Sequence, residues 1–169
     1  MKPAEVLCDA FGRIREGVRS AVEGLSAEQL AYRADEQANS IGWLVWHLTR
    51  VQDDHVAAVA GTEQVWTAQG WVGRFGLPFD PGAIGYGHTS EEVAAVRVGS
   101  PELLIDYHDA VAEHTVRWVG ALADADLDRV VDEAWSPPVT LGVRLVSVLC
   151  DDVAHLGQAE FLRGIVQRR

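Results

Sequence analysis

Cysteine, lysine and long apolar runs are all scarce in this chain, and each scarcity removes a class of protein. The two cysteines, Cys8 and Cys150, lie near opposite ends of the 169 residues without a C-x-x-C spacing, so neither a disulfide framework nor a thiolate zinc finger is indicated. No stretch approaches the roughly 20 uninterrupted apolar residues that a membrane span needs. The opening Met1-Lys2-Pro3-Ala4-Glu5 carries charge at once and shows no apolar export core, so a reducing cytoplasm is the expected location. Positive charge is short too: 14 Lys and Arg against 25 Asp and Glu leave a formal net charge of -11, which repels phosphate backbones and argues against nucleic acid as a partner. Lys2 is the only lysine, and with abundant Ala, Val, Gly and Asp this reads as a high-GC coding bias. Against these absences stands a hydrophobic fraction of 48%, which excludes a disordered polymer. The length suits one well-buried core, so one domain is expected over residues 1–169.

Four long segments carry helix periodicity. The first runs from about Pro3 to Gly24 through Val6, Phe11, Ile14, Val18 and Val22. Ser26 and Gln29 then form a capping-box pattern before Leu30. The second helix is expected from Asn39 or Ser40 to Gly61, and the third from the Ser100-Pro101-Glu102 start to about Ala123. The fourth should begin near Thr140 and end by Gly164 or the terminus. No alternating strand pattern of useful length is present, so the fold class is all-α, a four-helix bundle. Residues 61 to about 99 form a crossover far longer than the 2–8 residues usual between bundle neighbours. It interleaves Trp66, Trp71, Phe75, Phe79 and Tyr86 with glycines and holds a short helix capped by Thr89 and Glu92. Such a segment covers a bundle face, and can also wall a pocket.

Two helical seams carry titratable groups. On the fourth helix, steps of three and four trace Arg144, Val148, Asp151, His155, Gln158, Leu162 and Ile165; on the second they trace Ser40, Leu44, His47, Val51, Asp54 and Ala58. Asp151 and His155, at i and i+4, project from one face about 5–6 Å apart. If both seams face inward, His47 joins them, and a shared divalent ion is the simplest way to satisfy all three. A His, carboxylate, His set suits zinc first among divalent ions and leaves a coordination position open for water or a thiol. A lone histidine on an apolar helix is more often a hydrogen-bonded core residue, and an Asp-x-x-x-His pair more often sits on a surface. Asp152 competes with Asp151, but it shares a row with Leu145, Leu149 and Leu156, displaced from His155. His55, His88, His108 and His114 read as bystanders, Cys150 as a buried inert thiol, and Asp54 as a supporting or a solvated acid. Arg144 and Gln158 are candidates for orienting a ligand or substrate, and Trp43 and Trp46 for packing at the core or rim.

The runs Asn39-Ser40-Ile41-Gly42-Trp43-Leu44-Val45-Trp46-His47-Leu48 and Asp151-Asp152-Val153-Ala154-His155-Leu156-Gly157-Gln158 resemble the DinB/YfiT-like superfamily of four-helix metalloproteins. The resemblance spans nearly the whole chain. It implies an up-down-down-up bundle with one metal-ligating histidine on the second helix and an H-x-x-x-H pair on the fourth, followed by Gly-Gln. His47 and His155 match; Asp151 stands where the three-histidine form has its other histidine, as in the carboxylate variant of mycothiol-dependent maleylpyruvate isomerases. The resemblance implies transfer chemistry on a low-molecular-weight thiol, and the high-GC composition favours mycothiol. No separate C-terminal domain follows the bundle, which favours an S-transferase over an isomerase.

The expectation is therefore a zinc-dependent S-transferase joining a thiol to an electrophile, with His47, Asp151 and His155 on the metal and Arg144, Gln158 and Trp43 toward the substrate. The alternatives are a hydrolase using metal-activated water and a non-enzymatic, stress-related metal-binding bundle. A di-iron ferritin-like site is disfavoured because inward Glu-x-x-His motifs are absent. A homodimer is a reasonable expectation, with no interface that the sequence specifies.

Overall fold

Pro3, at the first helical position where no amide hydrogen is needed, opens α1 (Pro3–Val22), and the chain turns at Gly24 in a left-handed conformation. Ser26 and Gln29 form the expected reciprocal cap on the single turn α2 (Ala27–Leu30). The Ser40 hydroxyl accepts from the Trp43 amide to start α3 (Ile41–Ala60), which stops at Gly61. The crossover holds three short helices, α4 (Val65–Ala68), α5 (Trp71–Phe75) and α6 (Ser90–Ala95), the last with the Thr89 and Glu92 box in place. Then come α7 (Pro101–Val119), a 3-10 turn (Asp124–Asp128), two short paired strands, β1 (Val130–Asp132) and β2 (Val139–Thr140), and α8 (Leu141–Val166). This computed structural model describes all residues 1–169.

Contacts along the helices give their directions. Cys8 meets Val116 while Arg15 meets Asp109, so α1 and α7 run antiparallel. Thr49 meets His108 and Gln52 meets Thr115, so α3 and α7 are parallel. His47 faces His155 and His55 faces Arg144, so α3 and α8 are antiparallel. With α1 up, the order is up-down-down-up, as the resemblance implied; α1 and α3 occupy opposite corners.

Three local expectations are corrected. The third long helix ends at Val119 rather than Ala123, and Ser100 starts it by extended backbone conformation without a side-chain cap bond. A β-hairpin exists where no strand was expected, because three and two residues are too few to display alternation. The inward row of α8 is Leu141, Leu145, Val148, Asp152, Leu156, Ala159 and Leu162, about one residue round from the seam that spacing suggested. Leu149 is only half-buried.

α3 is buried without interruption from Ile41 to Asp53, because the crossover covers the side that would otherwise meet water. Between this covering on one side and α7 on another, polar residues must find partners inside. His108 is fully buried, with Nδ1 3.0 Å from the Thr49 hydroxyl, which itself donates to the Val45 carbonyl. Burial pushes its pKa down to about 4, so the folded state keeps it neutral where the unfolded chain, near 6.5, takes up a proton. Unfolding therefore gains protons as pH falls from 6.5 toward 4, and stability drops over that window. Between pH 7 and pH 5 the wild type should lose about 2 kcal/mol more than His108→Leu, measured by urea unfolding.

Candidate metal centre

His47, Asp151 and His155 converge where α3 meets α8, each offering a ligand atom within 4.8 Å of the others. They do not lie in the middle of the core. His47 is buried, while the side chains of Asp151 and His155 are 36% and 19% exposed, so the cluster opens toward solvent at the edge of the bundle. The one-residue offset of the α8 core row accounts for this: Asp152 takes the core position and Asp151 the rim.

The imidazoles are oriented by what their other nitrogens touch. His47 Nδ1 lies 2.5 Å from the Ile84 carbonyl oxygen, which fixes the proton on Nδ1 and frees Nε2. Burial lowers the His47 pKa, with the neighbouring His155 adding to the effect, so the ring stays neutral and available as a donor. His155 Nδ1 lies 3.2 Å from Gln158 Oε1, and its Nε2 lies 3.6 Å from Asp151 Oδ1. Asp151 Oδ2 is buried without any hydrogen-bond partner. Two imidazoles tied through Nδ1, with a carboxylate that keeps one oxygen unpartnered in the same cluster, form a donor set that fits a divalent ion.

Asp152 is a different case. Both of its oxygens are buried and unpartnered, and burial, with Asp151 beside it, raises its pKa well above the usual carboxylate range. It lies outside the three-residue cluster.

Aromatic residues wall the centre. Trp43 stacks on His47 at 4.5 Å between centroids, meets His155 edge-on at 6.1 Å, and donates from Nε1 to His88 Nδ1 at 3.2 Å. His88 is no bystander to this wall: it also stacks on Trp46 and contacts Phe79. Gly85, at φ +92°, passes directly over the His47 ring; a Cβ there would sit 2.7 Å from His47 Nδ1 and 3.0 Å from Trp46, so no larger residue fits without a shift.

Arg144 points elsewhere. Its guanidinium meets His55 Nδ1 at 3.1 Å and Asp132 at 2.8 Å, two turns of α8 from Asp151. Together with His55, Val59, Arg129 and Val131 it lines a cavity of about 320 Å³ between α3, α8 and the hairpin. Cys150, expected to be buried, is exposed beside the cluster. Asp54 accepts from the Gln64 amide and makes no contact with the cluster.

A second polar group escaped the sequence reading. Arg50, wholly buried on α3, donates to the carbonyls of Ala83 at 3.2 Å and Pro81 at 3.4 Å and to Gln64 Oε1 at 2.8 Å. Its ion-pair partner Asp53, 3.7 Å away, accepts from the amides of Val65 and Trp66 and from the Tyr107 hydroxyl. Arg50 thus holds the loop whose next residue, Ile84, orients His47.

Among known families, the one described as mycothiol-S-transferase matches residues 6–167 of the chain. The chain belongs to the mycothiol-S-transferase family. A crystal structure of a conserved protein from Enterococcus faecalis shares the fold at a TM-score of 0.93 and 30% sequence identity, over 100% of this chain and 99% of that one. No curated protein matches the chain. Membership supports S-transferase chemistry with mycothiol at the level of the family, and no helix is long and apolar enough to cross a membrane.

Proposed function

We propose that this chain, as one domain over residues 1–169, is a zinc-dependent S-transferase that conjugates mycothiol to electrophilic small molecules in the cytoplasm, serving detoxification. The observation that carries this reading is the clustering, within 4.8 Å, of Asp151, which keeps one buried oxygen unpartnered, with two imidazoles whose Nδ1 atoms are already engaged. His47, Asp151 and His155 would hold the metal, which when bound supplies positive charge that favours the ionised form of a thiol.

The chain's own residues account for the rest. Ile84 keeps the His47 proton on Nδ1, and Gln158 does the same for His155, so both rings offer Nε2 as a lone pair. Trp43, packed on both rings, keeps water from their flanks and borders the approach of the electrophile. The cavity at His55 and Arg144 begins about 10 Å along α8 from Asp151 and would take the hydroxyl-rich body of the thiol, with Arg144 donating to it.

The test is conjugation of mycothiol to monochlorobimane by zinc-loaded protein. A saturable, mycothiol-dependent rate at least about tenfold above the uncatalysed one is expected, lost on chelation and restored by zinc. Metal-loaded protein that does not accelerate conjugation, or conjugation indifferent to chelation, would remove this reading.

A further inference from the structure

Besides His47, α3 turns a second histidine toward α8. His55 lies eight residues, about 12 Å, further along the helix, and its ring lines the cavity of about 320 Å³ beside Arg144. Its Nδ1 is 3.1 Å from Arg144 Nη1. A guanidinium only donates, so Nδ1 is the bare acceptor and a neutral ring must carry its proton on Nε2. Burial lowers the His55 pKa and the Arg144 charge lowers it further, against the opposing pull of Asp54 and Asp151, so the ring is neutral at pH 7. Arg144 is fixed in turn by Asp132 on β1, which accepts from Nη2 at 2.8 Å. The chain offers the His55 Nε2–H no acceptor, and that nitrogen stays open to solvent.

We propose that His55 determines specificity in the thiol subsite: its Nε2–H donates to an uncharged oxygen of the thiol's hydroxyl-rich body, and Asp132, acting through Arg144, holds that donor in place. The inference rests on the reading of this cavity as the seat of the thiol's body. Position supports it. The antiparallel pair α3 and α8 carries the candidate metal cluster at one level and the cavity about 10–12 Å further along, so sulfur and body are held by different residues of the same two helices. Val59, Val130 and Val131 give the cavity apolar wall for a carbon skeleton, and His55 supplies a fixed donor among them.

Charge decides the class of acceptor. Arg144 is already paired with Asp132, and Asp54 and Asp151 stand near enough to act on the His55 ring. Of the cations at the cavity only Arg129 lacks a carboxylate partner; it is exposed, and its guanidinium donates to the Val59 carbonyl. A carboxylate brought to Nε2 would give up its hydration and gain no unpaired buried cation, with three acids close by. A hydroxyl or amide oxygen gives up far less and accepts the same hydrogen bond. The subsite therefore favours a thiol with a neutral, oxygen-rich body and works against thiols that carry carboxylates.

Nitrogen NMR of the zinc-loaded protein, with the His55 signals assigned by their loss in His55→Gln, should show the ring neutral with its proton on Nε2. Calorimetric titration with S-methylmycothiol, whose blocked sulfur cannot react, reads the body subsite without turnover. His55→Phe should weaken that binding about five- to tenfold, and raise KM for mycothiol in the monochlorobimane assay by the same factor with kcat within about twofold. His55→Gln, which keeps an N–H near the place of Nε2, should stay within about threefold of wild type. Zinc affinity should be the same in both variants, and a large excess of S-methylglutathione should not displace S-methylmycothiol. A proton on Nδ1, binding indifferent to His55→Phe, or displacement by S-methylglutathione would each overturn the proposal while leaving the S-transferase reading in place. A protein that binds S-methylmycothiol through His55 yet conjugates nothing would support the proposal and remove that reading.

Discussion

Replacing His47, Asp151 or His155 by alanine is expected to weaken zinc binding by about a hundredfold or more for each residue, measured by competition with a chromophoric chelator. The figure follows from apparent energies of about 10–16 kcal/mol for four-ligand zinc sites, or about 3 kcal/mol per ligand. The folds of these variants should survive, since two of the three side chains are partly exposed and the cluster sits at the rim of the core. Asp151→His should retain the metal, because it restores the pair of histidines one turn apart that the family resemblance implies. Asp152→Leu supplies the contrast. Its carboxyl is buried with no partner for either oxygen, so its removal should raise stability by about 2 kcal/mol while zinc affinity stays within a few-fold of wild type. Equal losses of zinc from Asp151→Ala and Asp152→Leu would move the ligand role to the wrong carboxylate for the geometry described, and retention of zinc by His47→Ala would dissolve the centre altogether.

The sequence reached this cluster through spacing alone on α8 and through the apolar neighbours of His47 on α3. Both clues are local, which is why they survived. Asp151 was preferred to Asp152 because of the row that Asp152 shares with core residues, and the structure places Asp152 in that row and outside the cluster; the same row should have shown that Asp151 sits at the rim and not on the inward seam. Cys150 was misplaced by the same one-residue error: a residue about 100° from Asp151 can fall on the wet side as easily as the dry one. The four long helices, their caps and the crossover were legible because each has a signal within a few residues. What could not be read was the covering of α3. Arg50 and Asp53 look like the solvent side of an amphipathic helix until the crossover, a dozen or more residues further on, closes over them, and Thr49 and Gln52 until α7 meets them through His108 and Thr115. The contact of Ile84 with His47 joins positions 37 apart and leaves no periodic trace; only the glycine at 85, in an aromatic-rich segment, marks a close approach of backbone.

Arg50→Met should cost about 3–5 kcal/mol, because it strands the buried Asp53 carboxylate and strips the Pro81 and Ala83 carbonyls and Gln64 of their shared donor. For a chain of this size that is a fall in melting temperature of roughly 6–20 °C. Arg50→Lys should recover part of the loss: it keeps a cation beside Asp53 but lacks the planar fork that reaches three acceptors at once. Removing both charges in Arg50→Met, Asp53→Leu relieves the stranded carboxylate yet leaves the Val65 and Trp66 amides without their acceptor, so the double variant should fall between wild type and Arg50→Met. The same network reaches the candidate metal centre through one covalent step, Ala83 to Ile84. Loosening it frees the carbonyl that holds the His47 tautomer, and losses at such supporting contacts run about 10–100-fold in metal affinity. Zinc affinity measured well below the melting temperature of each variant separates the two effects. Arg50→Lys, folded at 25 °C, should bind zinc about tenfold more weakly than wild type; a variant that melts early but binds zinc with wild-type strength would show that Arg50 supports the crossover without orienting His47.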